Sequence, residues 1–170
     1  LGMQIDYLKP EYRTLPVVKS LLEAMDGTPC YLTNYRGGDP NADDEALAEA
    51  LLAAADCGKV LLDLRCDMFD PREGEYTEDP TAVGKQKAFI RSAHAKGAEV
   101  LMSTHVFGRF VPKEEVKKIA NAAAERGADI SKIVTTANSE EELQQNLELI
   151  AELKRTLPIP FLLLCNGSHC

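Results

Sequence analysis

The sequence predicts an α/β protein, and three observations carry that prediction. Short apolar runs recur at intervals of about 30 residues, the spacing a strand–helix–strand crossover needs. Each run is followed by a longer amphipathic stretch with helix start and stop signals. No two runs lie close enough to pair as a hairpin, so the strands are expected to align in parallel with helices packed outside.

The runs begin near Leu1 (LGMQID), Cys30 (CYLTNY), Lys59 (KVLLDLR), Ala98 (AEVLMST), Asp129 (DISKIVT) and Pro160 (PFLLLC). Six βα-type units fit this pattern. Helices are predicted near 11–25, 43–55, 80–96, 112–126 and 139–155, the last opening with Ser139 and Glu142 in capping-box spacing. Gly58, Gly97 and Gly127 stand where helices should stop. The piece 66–79, rich in Asp, Glu, Pro and Gly, is expected as a loop at a strand's carboxyl end. An open doubly wound sheet and a closed eight-stranded barrel share this alternation, and periodicity does not separate them. A closed barrel usually takes about 250 residues, so six units would make one with strands missing. A chain that opens inside one apolar run and stops just after another is expected to be a fragment.

Composition narrows the partners. The 170 residues carry 27 acidic and 19 basic side chains, a formal charge of −8, with no basic stripe. Nucleic acid is therefore not an expected partner, because its backbone is bound by clustered Lys and Arg. No apolar run approaches the roughly 20 residues that cross a bilayer, so no membrane partner is expected. A cytoplasmic location follows as the expectation. The five cysteines (Cys30, Cys57, Cys66, Cys165, Cys170) form an odd set without a CxxC pair and are expected as free thiols.

Parallel α/β folds collect functional groups at the carboxyl ends of their strands. Lys132 lies within an otherwise largely apolar strand, Ile130 to Val134. Burial disfavours an ammonium, and a neutral amine is the nucleophile that forms imines with carbonyls. The plainer alternative is an inward lysine paired with a carboxylate such as Asp63. His105 falls where the fourth strand should end, a position suited to proton transfer, although a lone histidine is as readily structural. Asp63, Arg65 and Asp67 alternate onto one strand face, and with Asp70 and Glu73 following they form either mutual ion pairs or a magnesium-type cluster. Thr33-Asn34-Tyr35-Arg36-Gly37-Gly38 ends the second unit, where the glycines allow a tight turn and Arg36 suits a substrate carboxylate. His94 is expected on a solvated helix face. The tail Cys165 to Cys170, with His169, offers too few ligands for zinc. Neither GxGxxG nor GxxxxGK[ST] occurs.

These segments together resemble the type I 3-dehydroquinate dehydratases, the Schiff-base enzymes of the shikimate pathway of aromatic amino acid biosynthesis. The likeness is densest over 99–137. There the family's S-x-H-x-F element stands as Ser103-Thr104-His105-Val106-Phe107, Pro112 with Glu114 and Glu115 follows, and GADI-x-K stands as Gly127 to Lys132. Tyr35-Arg36 before Gly37-Gly38, Leu62-Asp63-Leu64, Asp6-Tyr7-Leu8 and Asn166-Gly167 are weaker echoes.

The resemblance implies a (β/α)8 TIM barrel, here incomplete, with 1–170 forming one partial barrel domain that spans strands two to seven. It implies a lyase in which Lys132 forms an imine with the substrate ketone and His105 moves protons at the adjacent carbon and the departing hydroxyl. Arg36 and Asp63 would contact the substrate, a small carboxylate-bearing ketone. No cofactor and no metal are implied. An open strand edge is liable to associate, which makes a homodimer possible. A non-catalytic metabolite-binding relic and a class I aldolase-like enzyme are the alternative readings. The family's second-strand carboxylate and arginine are replaced by the segment Gly2-Met3-Gln4, and no glutamate precedes Gly37-Gly38 to orient His105.

Overall fold

The computed structural model describes residues 1–37 and 41–170. Among the described residues six strands and five α-helices alternate: β1 Gly2–Gln4, α1 Leu15–Ala24, β2 Cys30–Thr33, α2 Asp44–Ala54, β3 Val60–Arg65, α3 Pro80–Ala95, β4 Glu99–His105, α4 Lys113–Arg126, β5 Ile130–Thr136, α5 Glu140–Thr156 and β6 Phe161–Asn166. The strands form one parallel sheet in the order β1-β2-β3-β4-β5-β6.

That order separates the two architectures. A doubly wound sheet reverses direction at a switch point and places helices on both faces. Here every crossover advances the same way, and with right-handed connections all the helices fall on one face. The result is an arc of a (β/α) barrel with helices outside and a concave inner face.

Strand alternation decides what each face carries. On β3, Val60, Leu62 and Leu64 are buried toward the helices, where Leu51, Ile90, Ile119 and Leu149 are almost wholly enclosed. Burying each such side chain contributes about 1.5–3 kcal/mol, so the outer layer holds the arc. The intervening residues, Leu61, Asp63 and Arg65, belong to the opposite, concave face. Helix ends follow local chemistry. Asp43 accepts from the N–H groups of Glu45 and Ala46, Asp79 from that of Ala82, and Ser139 from that of Glu142. Gly127 ends α4 with φ of 97°, a conformation that suits glycine.

Two expectations are corrected. The first helix begins at Leu15, because Pro10–Tyr12 forms a separate 3-10 turn and Thr14 is extended ahead of Pro16. The cysteines are not all free: Cys165 and Cys170 are joined, while Cys30, Cys57 and Cys66 remain thiols. The turn at Gly167, with φ of 108°, folds the tail back so that the two Cα atoms stand 5.9 Å apart. Among the described residues, no helix is long and apolar enough to cross a membrane.

Candidate active site

Register brings the predicted chemistry to one place. Ser103 pairs with Lys132 and His105 with Val134 across β4 and β5. Residues two apart on a strand share a face, so Ser103, His105, Lys132 and Val134 all face the hollow, and the Cα atoms of Lys132 and His105 stand roughly 8 Å apart. Both line one cavity of about 520 Å³, shared with Tyr7, Tyr31, Tyr35 and Glu75.

Lys132 is inward and mostly enclosed, its side chain 15% exposed, with Nζ 3.6 Å from Asp63 Oδ2. Nζ also donates to the hydroxyl of Tyr31 at 3.0 Å. The Asp63 side chain has no exposed surface. A buried carboxylate is costly unless its oxygens are satisfied, and here three hydroxyls donate to it. Tyr35 and Ser103 do so at 2.5 Å each, and Tyr31 is the third donor. Burial first, and then the Asp63 charge, push both phenols above their ordinary range, so the two tyrosines keep their protons. Lys132 is thus inward and paired with Asp63, as the plainer of its two expected readings has it, and is also threaded to that carboxylate through a phenol.

His105 is oriented by a residue the sequence did not single out. Glu75 Oε2 lies 2.8 Å from His105 Nδ1 and accepts from the His105 backbone N–H at 3.0 Å, while Arg65 holds the other oxygen at 3.2 Å. A carboxylate only accepts, so this pairing places the ring hydrogen on Nδ1 and leaves Nε2 for a substrate. Burial alone would raise the Glu75 carboxyl. Its hydrogen bond to His105 and the Arg65 charge more than offset this and hold it below the usual carboxylate range. Glu75 comes from the 66–79 loop and sits at φ of 53°, a left-handed conformation uncommon for such a residue. The loop is folded over the buried Arg126, whose guanidinium donates to the carbonyls of Cys66 (3.1 Å) and Thr77 (2.6 Å) and to Gln86 Oε1 (2.8 Å).

Arg36, expected beside a substrate, is engaged by carboxylates from two other segments. Its guanidinium is held by Asp44 at 2.6 and 2.7 Å and by Asp67 at 2.9 Å, tying the β2 end to α2 and to the 66–79 loop. It is absent from the lining of the cavity. Asp67 also takes Arg65, so the alternation of Asp63, Arg65 and Asp67 resolves into ion pairs and hydrogen bonds. Among the described residues, no group of three or more His, Cys, Asp or Glu could hold a metal ion. His94 pairs with Asp129 at 2.8 Å, near the surface. Gly37 has the left-handed φ of 59° expected of a tight turn, whereas Gly38 lies outside the described residues. The missed tyrosines left a signal in the period of two, since Tyr31, Thr33 and Tyr35 share one strand face with Asp63 beside them.

Comparison with known proteins gives the family. The model of the family described as type I 3-dehydroquinase matches residues 3–169. The chain belongs to the type I 3-dehydroquinase family. A 3-dehydroquinate dehydratase from Alkaliphilus oremlandii is 37% identical over 83 residues, 48% of this chain and 32% of that protein. Among solved 3-dehydroquinate dehydratases, the one from Clostridium difficile superposes with a TM-score of 0.77 at 20% identity, covering 96% of this chain and 64% of its own. That from Enterococcus faecalis gives 0.79 at 18% identity, covering 99% and 68%. These two likenesses show the barrel fold. The aligned part spans about a third of the curated relative and under two thirds of the C. difficile structure.

Proposed function

We propose that this chain carries the catalytic centre of a hydro-lyase that dehydrates 3-dehydroquinate to 3-dehydroshikimate through a Schiff base on Lys132. The observation that carries the reading is the shared cavity, in which an enclosed lysine and a carboxylate-oriented histidine face one hollow of substrate size. The amine adds to the substrate ketone and water leaves, giving a protonated imine that withdraws electrons from the adjacent carbon. His105 removes a proton from that carbon and the electron pair moves toward the imine nitrogen. His105 then returns the proton to the departing hydroxyl as the pair flows back, and hydrolysis frees Lys132. Asp63 keeps the lysine in place rather than contacting the substrate, and Glu75 positions the ring.

The test is borohydride reduction in the presence of 3-dehydroquinate, with peptide mass analysis. A reduced adduct on Lys132, lost in Lys132→Ala, is the expected result. Absence of any adduct on the native protein removes the mechanism. The aromatic lining, Tyr7, Tyr31 and Tyr35 with the exposed Phe107 at 69%, favours as second reading an imine enzyme acting on another carbonyl compound. Trapping with a panel of ketones and aldehydes separates the two.

A further inference from the structure

We infer that Tyr31 is a catalytic proton relay, its hydroxyl carrying protons between Lys132 Nζ and the buried Asp63 carboxylate during imine formation and hydrolysis. The inference rests on the imine reading and adds a residue to it. Lys132 rests in an ion pair, whereas only a neutral amine attacks a carbonyl, so a proton must leave Nζ first. The phenol oxygen accepts from Nζ at 3.0 Å while its own hydrogen goes to Asp63 Oδ2. Moving along both bonds, one proton passes from Nζ to the Tyr31 oxygen as the Tyr31 hydrogen passes to Asp63, leaving a neutral amine, an intact phenol and a neutral acid.

The same path serves the next steps. The C–N bond forms as the carbonyl π bond breaks, and a proton moves from nitrogen to the new alkoxide across the phenol. The carbinolamine hydroxyl then leaves as water with a proton from Tyr31, which Asp63 replaces, while the nitrogen lone pair closes the C=N bond. The sum is ammonium plus ketone giving protonated imine plus water, with Asp63 again a carboxylate. Other groups facing this path are Tyr35 and Ser103, both donors to Asp63, with Glu75 and His105 across the cavity. Tyr35 shares the carboxylate, whereas Nζ donates to Tyr31, which makes Tyr35 the comparison for rescue.

The experiment compares native protein, Tyr31→Phe and Tyr35→Phe in rapid-mixing borohydride trapping with 3-dehydroquinate, read as the rate at which the Lys132 adduct appears. Tyr31→Phe is expected to slow adduct formation about 10²-fold, with added imidazole restoring rate in proportion to its concentration. Tyr35→Phe, which removes a donor to Asp63 but no bond to Nζ, is expected to show no such rescue. A native rate in Tyr31→Phe, or equal slowing in both variants without rescue, overturns the relay while leaving the imine intact. No adduct in the native protein overturns the imine reading itself and the relay with it. Should Tyr31→Phe fail to fold, the native protein's solvent deuterium isotope effect on the same step decides: an effect above about 2 supports the relay and unity refutes it.

Discussion

Glu75 shows how one side chain sets the chemistry of another. By fixing the hydrogen on His105 Nδ1 it leaves Nε2 free, and replacing the carboxylate by an amide allows the opposite tautomer. Glu75→Gln is therefore expected to lower kcat about 10²-fold with little change in KM, and to leave trapping on Lys132 in place. An unchanged kcat would show that the pair is structural. Gly167 is constrained from both sides. A Cβ there would lie 2.4 Å from the Ala137 carbonyl oxygen and 2.9 Å from Thr136 Cγ2, at a φ of 108° that disfavours side chains. Gly167→Ala should cost about 2 kcal/mol, visible as a lower urea midpoint. A midpoint equal to the native one would mean that the tail simply moves aside.

At the scale of elements, the 66–79 loop delivers Glu75 and is itself held by a residue from α4. Removing the Arg126 guanidinium strips the Cys66 and Thr77 carbonyls and Gln86 of their shared donor inside the core. Arg126→Met is expected to destabilise the fold by about 3 kcal/mol and to depress kcat more than the rate of Lys132 trapping, since the loop orients His105, the proposed base, and not Lys132, the proposed nucleophile. Equal losses in both rates would place the loop's influence elsewhere. This division also marks what was legible in the chain. Alternating apolar runs announced all six strands, and Lys132 and His105 stood out because strand ends in parallel folds face a common hollow. Glu75 was hidden, because its position depends on a loop wrapped around an arginine distant in sequence, and no local pattern encodes that. The partners of Arg36 were hidden for the same reason: Asp44 and Asp67 come from two other segments and meet it only in the folded arc. The start of α1 was obscured by two nearby prolines that belong to different turns.

For the whole molecule, acid sensitivity follows from carboxylates held below their ordinary range. Burial raises Glu75, but His105 and Arg65 lower it further, and the hydrogen bonds and charges of Lys113 and Lys117 bring Glu152 down to about 2. In the unfolded chain such groups titrate near 4.5, so between that value and about 2 the unfolded form binds more protons than the native one. The stabilisation is full above about pH 5 and is lost as pH falls through this window. Urea midpoints should drop steadily from pH 5 to pH 2.5, and the drop should be shallower in Glu75→Gln. A flat profile would contradict the assignment. The strand order carries a different consequence. Each strand bonds only to its chain neighbours, and Tyr31, Asp63, Ser103, His105 and Lys132 sit on β2, β3, β4 and β5, each flanked on both sides. These side chains therefore ride on slats of the fan that are tied on both sides, so that loosening of one neighbouring strand leaves their spacing held by the other.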